Sequence, residues 1–230
     1  MGSEAPVVLV TGASRGLGRA VADDQEERGA RVHRVARSAV EGANGQVADL
    51  SQQEAAERVV RAVLEREGRI DAIVHAPGDY VDGTLEQLDA GQLERLFESN
   101  VTTAMHLIES GREALRASGG SWLFFGCAGL SGLRARRRTA GYGAVKSALV
   151  VLARSLALEE APHGVRANVI SPGLVPHADA HATTHAHADR VPLGRPTALT
   201  DIAGTAGWLL SAEASHITGQ DIEVAGGFAL

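Results

Sequence analysis

The sequence predicts an α/β fold in which helices cover both faces of a parallel sheet. Short runs of β-branched and aromatic residues alternate along the chain with longer stretches that have the period of a helix. The run at 122–125 shows no polar alternation, which is typical of a strand buried on both faces. At 230 residues, of which 44% are hydrophobic, the chain can bury one full core, so we expect a single domain over 1–230.

Six strands and five helices follow from this alternation. The strands are predicted at 7–10, 31–36, 72–75, 122–125, 166–170 and 221–224. The helices are predicted at about 17–28, 51–67, 92–117 and 142–161, and from residue 200 onward. Gly29 ends the first helix, and a capping box of Ser51 and Glu54 begins the second.

Charge and cysteine content narrow the classes of protein. The formal charge of −6 gives the whole chain no attraction to nucleic acid or membrane phosphates, so we expect neither as a partner. The first residues do not read as a targeting leader, and no run of about 18 apolar residues occurs, so we expect a cytoplasmic protein. Cys127 is the only cysteine, which excludes an internal disulfide and fits a reducing compartment.

The turn after the first strand has the glycine spacing of a dinucleotide-binding loop. It reads TGASRGLG over 11–18 and opens a helix. Glycines let backbone amides approach a pyrophosphate, and a helix N-terminus supplies unpaired N–H donors. We therefore expect Gly12, Gly16 and Gly18 to hold a dinucleotide. The alternative is a tight turn that needs glycine only for its positive φ angles.

The end of the second strand indicates which dinucleotide binds. NAD-binding sites usually place an acidic residue there to accept the ribose 2′-hydroxyl. Residues 35–38 read VARS and contain no carboxylate, whereas Arg37 together with Arg15 could neutralise a 2′-phosphate. We predict NADP(H) as the cofactor. The alternative for Arg37 is a solvated surface charge.

Tyr142 and Lys146 form a candidate catalytic pair. They lie four residues apart on a predicted helix, so both project from one face. A phenol with a pKa near 10 exchanges protons poorly at neutral pH unless a nearby cation favours the phenolate. Lys146 is the only lysine of a chain with 22 basic residues. A surface lysine beside a partly buried tyrosine is the alternative.

These two motifs resemble those of the short-chain dehydrogenase/reductase family, and the likeness covers nearly the whole chain. The resemblance implies a Rossmann-type, doubly wound sheet of seven parallel strands, hydride transfer from the nicotinamide, and a homo-tetramer or homo-dimer. It implies that Tyr142 is the general acid for a carbonyl substrate. It further implies that Lys146 lowers the pKa of this phenol and holds the nicotinamide ribose, and that Asn100 anchors a proton-relay water. The other cofactor contacts that it implies are Tyr142 itself and Ser14, Leu17, Asp49, Leu50, Ala76, Gly78, Pro172, Gly173 and Val175.

The sequence departs from the family pattern at positions near the reacting atoms. Aligning Ala128 and Gly129 with that pattern places Gly126 where a serine hydroxyl usually binds the substrate carbonyl. Loss of one such donor typically costs on the order of 10² to 10³ in rate. Ser131, Cys127 or a hydroxyl of the substrate are the candidate replacements.

The loop after the fourth strand of the family pattern departs as well. The usual Asn-Asn-Ala-Gly reads HAPG over 75–78, and we expect His75 to be structural rather than catalytic. His177 replaces a threonine that usually contacts the nicotinamide group.

Two further segments are unusual. The connection from Gly132 to Tyr142 is about three residues longer than is usual for the family and carries four arginines, at 134 and 136–138. We hypothesise that it binds an acidic substrate or a carrier-protein phosphopantetheine, because arginine forks match carboxylate and phosphate geometry. A solvated loop is the alternative.

A substrate lid is expected over about 174–192. It contains four histidines, at 177, 181, 185 and 187, of which the first three share a four-residue period. A metal site is conceivable there, but without an obvious carboxylate or cysteine partner we expect no metal. We favour a mobile lid with some pH sensitivity near 6.5.

The sequence therefore predicts an NADP(H)-dependent reductase of a ketone or quinone-like carbonyl, which could be polycyclic or carrier-bound. One alternative is reduction of a C=N or C=C bond, as in a pteridine or imine. The other is a non-catalytic cofactor-binding subunit or sensor.

Overall fold

The computed structural model describes residues 5–42, 44–130, 132, 134–176 and 188–230. Seven strands form one sheet in the order β3-β2-β1-β4-β5-β6-β7, and every neighbouring pair is parallel. The strands are β1 (Val7–Thr11), β2 (Arg31–Ala36), β3 (Gly45–Val47), β4 (Ala72–His75), β5 (Ser121–Phe125), β6 (Arg166–Pro172) and β7 (Asp221–Val224). This sheet confirms the predicted Rossmann-type fold.

Helices connect the strands and cover both faces of the sheet. They are α1 (Gly16–Glu27), α2 (Gln53–Glu67), α3 (Ala90–Phe97), α4 (Thr103–Ser118), α5 (Ala140–Glu160) and α6 (Leu199–Leu210). Short 3₁₀ turns occur at Ala161–His163, Ala188–Arg190 and Ala212–Ala214.

The core consists of two apolar clusters, one on each face of the sheet. In β1, Val7 and Leu9 belong to one cluster with α2, α4 and α5, whereas Val8 and Val10 belong to the other with α1 and α6. Alternate side chains of a strand point to opposite faces, so β1 is buried on both. This explains why its sequence shows no polar alternation.

Three details of the predicted elements were wrong. The short edge strand β3 was missed, because its three residues contain no apolar run. The predicted helix at 92–117 is divided by a π-helical turn at Glu98–Thr102. The predicted capping box does not form: α2 begins after Gln52, and the Ser51 hydroxyl accepts a hydrogen bond from the Gln52 side chain instead.

The candidate site lies where β1, β4, β5 and β6 end, at the carboxyl edge of the sheet. Ligands of open parallel sheets bind at this edge. The long helix α5 packs on one face of the sheet, against β5 and β6. The segment Ala140–His163 is long and apolar enough to span a membrane, but half of its most apolar stretch is buried inside the protein, as in a core helix.

Candidate active site

The loop between β1 and α1 is shaped by glycines that leave no room for a side chain. A Cβ atom on Gly12, where φ is +69°, would lie 2.7 Å from the backbone nitrogen of Pro77. A Cβ on Gly18 would overlap the carbonyl oxygen of Gly12. Gly16, with φ of +56°, faces open space. The loop is therefore packed tightly against the end of β4 and remains open at Gly16.

The N-terminus of α1 is free to bind an anion. Arg15 precedes the helix in an extended conformation, and no side chain caps the first turn, which contains no acidic residue. Unpaired N–H groups at a helix N-terminus, with open space in front of them, suit a pyrophosphate. These residues fit a dinucleotide.

Gly18→Ala is expected to lower the free energy of unfolding by about 1–3 kcal/mol, because the added methyl group meets backbone atoms that cannot move away. Urea unfolding measures this change. Gly204→Ala in α6 is the matched control, since its Cβ would meet no atom within 4 Å. Equal unfolding midpoints for the two variants would contradict the packing described for the loop.

The predicted contacts to the adenosine half lie around the end of β2. Arg15 and Arg37 are exposed, and the Arg37 guanidinium lies 3.5 Å from the Asp79 carboxylate. Asp49 is exposed as well, and its carboxylate accepts a hydrogen bond from the backbone N–H of Ser51. Leu50 is buried. Two cations therefore flank the site, one of them partly neutralised by Asp79.

Lys146 is buried at the carboxyl edge of the sheet. Its Nζ donates a 2.7 Å hydrogen bond to the carbonyl of Phe125, the last residue of β5, and lies 5.6 Å from the centre of the Tyr142 ring. Burial lowers the pKa of Lys146 to about 8. The spacing of the two residues on α5 thus brings an amine next to a phenol, as predicted.

The pKa of Tyr142 differs from the sequence-based expectation. Burial raises it above its usual value of 10.0, and the neighbouring Cys127 and Tyr80 raise it further. The Tyr80 ring meets the Tyr142 ring edge-on, at 5.0 Å between centres. Lys146 does not counteract this rise, because burial lowers the pKa of its amine to about 8 and the amine is therefore already neutral at the pH where the phenol ionises. Tyr142 is consequently a protonated phenol at neutral pH.

Asn100 lies in the π-helical turn, a distortion that is frequent at functional sites. Its Nδ2 donates to the carbonyls of Leu96, at 2.9 Å, and Asp79, at 3.1 Å. A Cβ on Gly78 would overlap the Asn100 Oδ1 atom. Asn100 therefore ties the loop after β4 to the helical segment, and Gly78 is the residue that lets it approach.

Gly126, predicted at the position of the carbonyl-binding serine, has no space for a side chain. A Cβ there would overlap the Ser171 hydroxyl, which itself donates to Asp221 at 2.5 Å. The next residue, Cys127, is close enough to Tyr142 and Lys146 to influence the pKa of both. Of the candidate replacements for the serine, Cys127 thus lies beside the pair, and Ser131 is outside the described residues.

Four further predicted cofactor contacts, Ala76, Pro172, Gly173 and Val175, lie at the same edge of the sheet. Ala76 follows β4, and its N–H donates to the carbonyl of Thr11. Pro172 ends β6, and a Cβ on Gly173 would lie 2.8 Å from Ala225, so the chain after β6 packs closely against that after β7. Val175 packs against the apolar cluster that contains α1 and α6.

His75 lies in the core rather than in an open site. Its Nε2 is 2.9 Å from the Thr103 hydroxyl, which donates to the Ser99 carbonyl and must therefore accept from the ring. Burial lowers the pKa of His75 to about 3, so the imidazole is neutral. The hydrogen bond between His75 and Thr103 joins β4 to α4, which is the role of a structural residue. The four histidines of the expected lid lie outside the described residues.

A cavity of about 240 Å³ beside Tyr142 was not predicted from the sequence. Its walls come from the loop 81–84, from Gln92 at the start of α3, and from Arg138. Tyr80, which contacts Tyr142, was also missed. The only signal in the sequence was that Tyr80 is the one tyrosine of the chain besides Tyr142.

Comparisons with known proteins agree with the fold. The model of a family described as Enoyl-(Acyl carrier protein) reductase matches residues 12–229. The 3-oxoacyl-(acyl-carrier-protein) reductase FabG of Escherichia coli (strain K12) is 30% identical over 242 residues, which cover 99% of this chain and 98% of that protein.

Solved structures show the same architecture. A 3-ketoacyl-(acyl-carrier-protein) reductase from Brucella melitensis, crystallised in complex with NADH, has a TM-score of 0.91 at 26% identity, with 100% of each chain covered. The Pseudomonas aeruginosa RhlG/NADP active-site complex has a TM-score of 0.89 at 28% identity, covering 98% of this chain and 96% of the other.

The sheet order and these likenesses define an oxidoreductase of the class that uses a nicotinamide dinucleotide. The chain belongs to the short-chain dehydrogenase/reductase family. The resemblance inferred from the glycine loop and the tyrosine–lysine pair is thereby confirmed.

Proposed function

We propose that this protein is an NADP(H)-dependent reductase of ketone or quinone-like carbonyls that acts as a single domain over 1–230. The observation that carries the proposal is the pairing of Tyr142 with the buried Lys146, at the sheet edge that also presents the glycine loop. We further propose a cytoplasmic homo-tetramer or homo-dimer with a small-molecule substrate, and with neither nucleic acid nor membrane as partner.

The reaction divides between the cofactor and the side chains. NADPH, when bound, supplies the hydride that adds to the carbonyl carbon. The neutral phenol of Tyr142 gives its proton to the carbonyl oxygen, so that an alcohol forms. The Lys146 ammonium stabilises the phenolate left behind, since an adjacent cation favours the charged form of an acid. Asn100 holds the loop that carries Asp79 and Gly78 in place.

The named relatives support a carbonyl substrate. FabG of Escherichia coli and the protein from Brucella melitensis are both called reductases of oxoacyl groups on a carrier protein. Cofactors differ among the neighbours, one of which was solved with NADH and another with NADP. We assign NADP(H) to this chain because β2 ends without a carboxylate and two arginines flank the site.

Reduction of a C=C or C=N bond is the second candidate. Gly126 provides no hydroxyl to hold a carbonyl oxygen, and the matching family model is described by an enoyl reductase. A substrate without a carbonyl oxygen at the reacting bond needs no such donor.

A substrate panel tests the proposal. The purified protein is titrated with NADPH and then given ketones, quinones, imines and enoyl compounds, with consumption of reduced cofactor followed by absorbance. Turnover of ketones or quinones supports the carbonyl reductase, and turnover confined to C=C or C=N compounds supports the second candidate. NADPH binding without turnover on the whole panel would identify a non-catalytic cofactor-binding protein.

Arg37→Ser is expected to weaken NADPH binding about tenfold or more relative to NADH, because a hydrogen bond to a charged group contributes about 1.5–3 kcal/mol. Fluorescence titration of both cofactors measures the ratio. Arg58→Ser, at an exposed position of α2, is the control and should leave the ratio unchanged. An equal ratio in the Arg37 variant would show that the 2′-phosphate is not bound there.

A further inference from the structure

Arg136, in the connection between β5 and α5, packs against Gly129 and against Gly143, the residue after Tyr142, and does not lie in the cavity that Arg138 lines. Its Nη2 donates a 2.7 Å hydrogen bond to the carbonyl of Ala128. A Cβ on Gly143, the residue after Tyr142, would lie 2.6 Å from the Arg136 Cδ and 3.0 Å from its Nε. A Cβ on Gly129 would lie 3.3 Å from Nη2. Two glycines thus provide the room that this side chain occupies.

The charge of Arg136 has no acidic partner within the part of the chain that the structure describes. The neighbouring arginines are engaged elsewhere: Arg138 forms a 2.8 Å ion pair with Asp82, and Arg134 donates to the carbonyl of Ala229. The Ala128 carbonyl that Arg136 binds is neutral. Arg134 and Arg137 are exposed, whereas Arg136 is partly buried against Gly143 and so brings its unpaired positive charge next to Tyr142.

The charge of Arg136 acts on the groups around the reacting atoms. Burial raises the pKa of the Cys127 thiol, and Arg136 opposes this more strongly than Lys146 does. The carboxylates of Asp221 and Glu223 also act on Cys127, but each is already engaged: Asp221 accepts from Ser171, and Glu223 accepts from the backbone N–H of Gly129. Two cations, Arg136 and Lys146, therefore face the end of β5.

We propose that Arg136 determines substrate specificity by binding a carboxylate attached next to the carbonyl that is reduced. A guanidinium has five N–H donors, and its bond to Ala128 uses one of them. The remaining donors can form a two-pronged contact to a carboxylate, which is the geometry that arginine favours. The preferred substrates are then keto acids, which are reduced to hydroxy acids. The inference rests on the proposed function and adds the substrate class.

Matched pairs of substrates test the role of Arg136. The kcat/KM values are measured for 2-oxo and 3-oxo acids and for their methyl esters, which have the same carbonyl but no charge. Arg136→Gln is expected to lower the acid-to-ester ratio about tenfold or more, mainly through a higher KM for the acid. Arg137→Gln is the control, because Arg137 is exposed and makes no hydrogen bond or ion pair with any described residue.

A second variant moves the guanidinium without removing its charge. Gly143→Ala places a methyl group against the flexible end of the Arg136 side chain and also raises the helix propensity of α5, so the protein should fold. We expect it to lower the acid-to-ester ratio as Arg136→Gln does. An unchanged ratio in both variants would overturn the inference while leaving ketone reduction intact.

Failure of the proposed function gives a different result. A wild-type protein that reduces neither acids nor esters contradicts the carbonyl reductase itself. The role of Arg136 is then decided by calorimetric titration with the same keto acids. Binding that is lost in Arg136→Gln supports a carboxylate site, and binding that is absent or unaffected overturns it.

Discussion

Tyr142→Phe is expected to lower kcat for ketone reduction by about 10²–10⁴, the usual contribution of a positioned proton donor. The variant keeps the ring that packs against Tyr80 and loses only the hydroxyl. The phenol is protonated at neutral pH because burial raises its pKa, so the wild-type protein has its donor ready. Steady-state kinetics at saturating NADPH measures the loss, and NADPH titration should show a cofactor affinity within a few-fold of the wild-type value.

Tyr80→Phe is the matched control for that experiment. It removes a phenolic hydroxyl from the ring that meets Tyr142 edge-on and leaves the contact between the rings. We expect its kcat to remain within a few-fold of the wild-type value. If Tyr142→Phe kept more than about a tenth of the activity, the proton would have to come from another group, and Cys127 and Tyr80 are the titratable side chains beside Tyr142.

The sequence predicts those strands of the sheet whose residues must be apolar because they are buried in the core. The boundaries of β2, β4 and β7 agree with the structure, because each is a short run bounded by polar or turn residues. The strand β3 could not be predicted, since its pairing with β2 is decided by the backbone and not by an apolar pattern. Local pattern therefore predicts strands that supply the core and misses strands that only extend the edge.

The helix boundaries and caps predicted from the sequence were wrong where local interactions compete. The π-helical turn at Asn100 inserts residues into a helix without changing its composition, so periodicity does not reveal it. At the start of α2, the Asp49 carboxylate binds the backbone of Ser51, and the chain turns there before the helix begins. Such choices depend on a few competing hydrogen bonds of similar energy.

The catalytic pair and the specificity of the site differ in how far the sequence predicts them. The contact of Tyr142 with Lys146 is local on one helix, so residue spacing alone predicts it. The position of Arg136 depends on the missing side chains of Gly129 and Gly143, which come together only in the folded chain. The sequence showed that this connection is rich in arginine and could not show which arginine enters the site.

The protonation of Lys146 is expected to give ketone reduction an alkaline limit. Because burial lowers the pKa of this amine to about 8, kcat/KM for the ketone should fall about tenfold per pH unit above that value. Tyr142 is not responsible for this limb, since its pKa is raised above 10.0 and the phenol stays protonated there. Lys146→Met should be slow at every pH and should lack the limb.

Over the same pH range, in which activity falls, the contribution of Lys146 to protein stability rises. A stability measurement can therefore distinguish loss of the Lys146 charge from unfolding. Between pH 8 and 10.5 the unfolded chain keeps the Lys146 proton while the folded chain releases it. The unfolded state then binds more protons, so the contribution of Lys146 to the free energy of unfolding rises with pH. Urea unfolding of the wild-type protein and of Lys146→Met at pH 8 and pH 10.5 measures that contribution as a difference. If activity falls while the wild-type protein gains stability relative to Lys146→Met, the alkaline loss of activity is due to the Lys146 ammonium. If activity and the relative stability of the wild-type protein fall together, the loss of activity is due to unfolding.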